Sequence, residues 1–132
     1  MKAARERPLS PHLQVYRLTL TMAMSIAHRI TGTATYFGAV IFVAWLMSAA
    51  IGPGAFDNMQ AAFGSILGLL ILLGLTWSLI HHALGGVRHL IWDTGWGLDP
   101  EWRERLTLAT LVGSVVLTVI VFGIGLALLL SS

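Results

Sequence analysis

The chain has 132 residues, 56% of them hydrophobic and only 11% charged, against roughly 25% charged in an ordinary soluble domain. That excludes a water-soluble globular enzyme and predicts a single membrane-anchor domain over residues 1–132, because no polar block is large enough to fold separately. With no cysteine there is no disulfide, iron–sulfur ligation, thiol catalysis or covalent haem attachment, and a net charge of +2 sets membrane orientation and implies no nucleic-acid partner.

The first residues, MKAARERPLS, are basic but lack the apolar core and cleavage site of a signal peptide, and read as the mature start of a bacterial inner-membrane protein. PHLQVYRLTLTMAM follows, its mixed polarity predicting a short interfacial helix. His12 and Tyr16 within it read as surface residues. The expected architecture is an all-α membrane protein with three transmembrane helices, about Ser25–Ile51, Ala61–Ile91 and Leu106–Leu130, each longer than the roughly 20 residues a spanning helix needs. GPGAFDNMQ, between the first two, reads as a turn. In the second connection Asp99, Pro100 and Glu101 read as the N-cap and first positions of the third helix. Trp92, Trp96 and Trp102 gather there as interfacial anchors. All eight Lys and Arg lie before the first span, at its start, or around the second connection. The positive-inside rule therefore predicts a cytoplasmic N-terminus and a periplasmic C-terminus.

The first span opens with SIAHRITG, in which Ser25, His28, Arg29 and Gly32 share one helical face. The second ends in IHHALGGVRHL. There His82, Gly86 and His89 lie within about 60° of one another, with His81, Gly85 and Arg88 as the neighbouring stripe. Taken with Gly74 and Ser78, this predicts a groove of small residues open to a flat cofactor or another helix. His82 sits about nine residues, or roughly 13 Å, inside the span end, whereas Arg88 and His89 are expected to snorkel to the headgroups. Haem or metal ligation, helix packing and proton transfer all remain open for the deep pair His81 and His82. Because spans one and two run in opposite directions, their polar clusters can meet at one depth, and a cation beside an imidazole suits the propionates and iron of a haem. Asp93, four residues past His89, could pair with it, and Gly64 with Gly68 makes a packing GxxxG. No phosphate loop or hydrolase motif is present.

RPLSPHLQVYR at 7–17, SIAHRITG at 25–32 and HALGGVRH at 82–89 together resemble the cytochrome b556 subunits of succinate dehydrogenase, one of the two membrane anchors of respiratory complex II. The resemblance covers essentially the whole chain. It implies that His82 is one axial ligand to the iron of a haem b shared with the second anchor subunit, which supplies the other ligand; that His28 and Arg29 lie near the haem propionates; and that Ser25 and Arg29 face ubiquinone. It implies a flavoprotein and an iron–sulfur subunit as further partners, and an inner-membrane location. A small proton-transfer, transport or assembly subunit without haem is the alternative, and an in-chain ligand pair of His82 with His28 is a variant of the redox reading.

Overall fold

A backbone N–H or C=O without a partner costs several kcal/mol in hydrocarbon, so apolar stretches of this length close their hydrogen bonds within helices. The computed structural model describes residues 17–131, all of whose regular structure is helical: α1 (Leu20–Ile51), α2 (Pro53–Gly64), α3 (Ile66–Asp93) and α4 (Pro100–Ser131). α1, α3 and α4 are long and apolar enough to span a membrane, as expected. The RPLSPHLQVYR motif up to Tyr16, with His12, lies outside the described residues, and so does the first part of the expected interfacial segment.

The boundaries differ from expectation in three places, each with a local cause. α1 begins at Leu20 because Thr19 caps it, its hydroxyl accepting from Met22 N at 3.4 Å. The region read as a turn is the helix α2: only Gly52 turns, at φ 139°, and Pro53 takes the first helical position, where a missing N–H costs nothing. α2 then lies against the end of α1, tied by Trp45 Nε1–H donating to Gln60 Oε1 at 3.0 Å. The expected second span is interrupted at Ser65, which is extended and caps α3 by accepting from Gly68 N at 3.1 Å. α4 starts at Pro100, with Asp99 Oδ1 accepting from Trp102 N at 3.1 Å, so the expected Asp99 cap forms.

α3 packs against both α1 and α4, which also touch each other. The interior is polar. Among the described residues the only buried hydrophobic side chain is Met24, whereas Thr31, Ser48, Ser78, His81, Arg88, Thr107, Thr110, Ser114 and Thr118 are buried. Lipid is as apolar as leucine, so nothing drives leucine inward, and small hydroxylic residues let helices approach closely. Their hydroxyls are satisfied on their own helices: Thr31 donates to Ala27 O, Thr107 to Arg103 O, Thr110 to Leu106 O and Thr118 to Ser114 O.

Candidate functional site

The crossing of α1 and α3 places His28 and His82 face to face. Their rings stack with centroids 4.2 Å apart and 10° between planes. Each ring bonds the other residue's backbone: His82 Nδ1 lies 3.0 Å from His28 O, and His28 Nε2 lies 3.2 Å from His82 O. A carbonyl oxygen can only accept, so both ring nitrogens carry hydrogen and donate. The consequence for His82 is a free Nε2 on an imidazole whose orientation is fixed from Nδ1, the arrangement that metal-ligating histidines usually have. His28 is the reverse case, with Nε2 committed to a carbonyl.

Two glycines make this approach possible. A Cβ on Gly32 would sit 2.7 Å from His82 Cε1, and one on Gly85 would overlap the His28 ring at Cδ2. The groove expected beside Gly85 is therefore filled by an imidazole of the chain itself. Gly86 and Gly74 do face open space. Stacked rings this close also leave no room for a macrocycle between them, so His28 and His82 do not form an in-chain axial pair in this arrangement.

The adjacent histidine points elsewhere. His81 is turned toward α4, 0% exposed, with Nδ1 3.1 Å from Ser114 Oγ and its ring stacked on Trp77 at 5.1 Å between centroids. Arg88, expected at the headgroups, is 3% exposed and lies inside the bundle with its guanidinium carbon 5.1 Å from the centre of the Trp92 ring. The reason is rotational: seven residues, close to two turns, separate it from His81, so both share the stripe facing α4. His89 is exposed and contacts the rings of His28 and Trp92 at 5.3 and 5.2 Å. It forms no pair with Asp93; among the described residues the one ion pair is Arg105 with Glu101.

Ser25 and Arg29 lie one turn apart on the exposed side of α1, at the level of the half-buried His28. Among the described residues their side chains form no hydrogen bond with His82 or with each other, and Arg29 forms no ion pair. The SIAHRITG and HALGGVRH segments thus lie at one end of the bundle, with His28 and His82 in contact and Ser25 and Arg29 facing outward. Ser114 and Trp77 were not singled out in the sequence, although both fall on the periodic stripes that meet at His81. Beyond the pair, a cavity of about 620 Å³ lies between α1, α2 and α3, lined in part by Gly38, Trp45, Leu75 and Leu79. The Thr35 and Thr76 hydroxyls on its wall donate to their own helices, so its lining suits apolar groups.

Comparison with known proteins agrees with this architecture. The model of the succinate dehydrogenase/fumarate reductase transmembrane subunit matches residues 3–122. The chain is similar to the succinate dehydrogenase cytochrome b556 subunit of Paracoccus denitrificans, 48% identical over 86% of this chain and 88% of that one. It also resembles the mitochondrial cytochrome b560 subunit of Sus scrofa, 39% identical over 86% of this chain and 68% of that one, and the cytochrome b556 subunit of Rickettsia conorii, 34% identical over 89% and 91%. With its three spanning helices and a family match over most of its length, the chain belongs to the transmembrane subunits of succinate dehydrogenase and fumarate reductase.

Proposed function

We propose that this chain is the haem b-binding membrane anchor of a succinate:ubiquinone oxidoreductase, with His82 as one axial ligand to the iron and Ser25 and Arg29 on the wall of the ubiquinone site. The observation that carries the reading is the His82 side chain: Nδ1–H is held by the His28 carbonyl, so Nε2 is a neutral donor aimed by its neighbour. One imidazole is a poor site for a bare ion, and no cluster of three or more protein ligands exists among the described residues. It suits an iron whose equatorial ligands come with a macrocycle. When bound, haem b would supply a one-electron centre, held by His82 of this chain and by the second anchor subunit.

The chain's own residues then have distinct tasks. His28 orients His82 through its carbonyl, and the exposed cation of Arg29 offers a positive, donating partner for propionates. The Ser25 hydroxyl and Arg29 guanidinium donate toward a quinone carbonyl oxygen, where negative charge develops as electrons arrive. Electrons come from succinate through the flavoprotein and iron–sulfur subunits, so this chain is one domain of a larger machine and catalyses nothing alone.

Spectroscopy of the purified complex tests the reading. Reduced-minus-oxidised difference spectra should show b-type bands that His82→Ala abolishes. His81→Ala and His28→Ala should keep a low-spin spectrum, the latter with altered band shape because His82 loses its stacking partner. Survival of the normal spectrum in His82→Ala would remove the ligand assignment, and absence of haem bands in the wild type would favour the proton-transfer or transport alternative. Ser25→Ala and Arg29→Ala should slow ubiquinone reduction while leaving succinate oxidation by an artificial dye intact. Equal losses in both assays would point to failed assembly.

A further inference from the structure

We propose that the interior of the α1–α3–α4 bundle contains a fixed hydration site, in which one or more water molecules join His81 Nε2 to the Arg88 guanidinium. The Ser114 hydroxyl donates to Leu111 O at 2.8 Å, so its oxygen accepts from His81 Nδ1–H at 3.1 Å, and His81 Nε2 is left as a lone-pair acceptor. That atom is buried with no partner, as are Nε and Nη1 of Arg88, which are donors. His81 and Arg88 are 0% and 3% exposed and lie on one face of α3, about 10 Å apart along the axis. The Arg88 guanidinium carbon lies 5.1 Å from the centre of the Trp92 ring, a contact that supplies Nε and Nη1 with no oxygen acceptor.

The chemistry of the vacant valences selects the ligand. An anion could accept from Arg88 but could not donate to His81 Nε2, whereas water does both. None of the described acids, Asp57, Asp93, Asp99, Glu101 and Glu104, pairs with Arg88. The opposing wall is equally suited: Thr107 and Thr110 of α4 are buried, and each spends its hydrogen on its own helix, which leaves oxygen lone pairs as further acceptors. Buried waters typically make about three such bonds, and hydration lets a cation persist in a bundle surrounded by lipid. The site adjoins the His28–His82 pair, since Gly85, which lies between His81 and Arg88 on the same stripe, meets the His28 ring.

A map of the intact complex at a resolution that shows ordered water decides the matter. The expected result is solvent density within hydrogen-bond distance of His81 Nε2 that continues, directly or through a second peak, to Nε or Nη1 of Arg88. In His81→Leu the peak nearest position 81 should vanish while density beside Arg88 remains. A direct His81–Arg88 contact, a carboxylate from another chain on Arg88, or anomalous scattering from soaked bromide at the site would each overturn the proposal. So would unchanged peaks in His81→Leu. If His81→Leu does not assemble, the wild-type map still decides between water and these alternatives.

Discussion

At position 85 the missing side chain is occupied by the ring of His28, and at position 32 by the ring of His82. A methyl group at either site must displace an imidazole that is held by a backbone bond and a stacking partner. Gly85→Ala and Gly32→Ala should therefore each cost about 1–3 kcal/mol of overpacking, and both should reduce haem retention in the purified complex because they move the His82 ring or the His28 carbonyl that aims it. Gly113→Ala is the control: its Cβ would meet Leu84 at an ordinary 3.5 Å, and haem content should stay at the wild-type level. Loss of haem in all three, or in none, would mean that glycine contributes something other than room for the rings. The sequence placed His28 and His82 at one depth through periodicity and opposite helix directions. It did not reveal their reciprocal bonds, because these depend on the axial rotation of two helices, which hydropathy does not encode. Arg88 was more legible than expectation allowed: it shares a stripe with the deep His81, and that spacing outweighs its nearness to the helix end.

At the scale of elements, the junction between α2 and α3 depends on one side chain and one glycine. Ser65 donates to Ala62 O at 2.6 Å and accepts from Gly68 N at 3.1 Å, so it closes one helix and opens the next. A Cβ on Gly68 would run into Ala62 O and the Phe63 backbone, whereas one on Gly64 meets nothing. The two glycines of the GxxxG thus part company. Gly68→Ala should lower the thermal midpoint of the complex, since backbone cannot step aside as a side chain can. Gly64→Ala should leave it unchanged, and Ser65→Ala should cost about 0.5–2 kcal/mol as a lost cap. Equal thermal shifts for the two glycine variants would restore the simple packing motif. The three spans were readable from hydropathy because lipid imposes length and apolarity directly. α2 was missed because Gly52 and Pro53 were read together as a turn, when glycine ends one helix and proline starts the next.

Over the whole molecule, apolar side chains face outward, hydroxyls and two basic residues face inward, and positive charge is segregated to one end. Arg17 and Arg29 of the N-terminal side, Arg88 near the end of α3, and Arg103 and Arg105 at the start of α4 all fall at that end. The opposite end, around Gly52 and beyond Leu130, carries no lysine or arginine. The positive-inside rule predicts that the basic end is cytoplasmic. Alkaline phosphatase fused after Ser132 should therefore be active, and the same enzyme inserted between Thr94 and Asp99 should remain near background, with a fluorescent reporter that folds only in the cytoplasm giving the opposite pattern. The basic residues are not equivalent in this respect. The first span usually dominates orientation, and Lys2, Arg5, Arg7 and Arg17 precede it, so replacing Arg103 and Arg105 together by alanine should preserve the topology. The exposed Arg105–Glu101 pair lost in that variant contributes little to stability, which keeps the reporter reading interpretable. Reporters reversed in the wild type would invert the assigned orientation, and reporters reversed only in the double variant would place the controlling charge in the second connection.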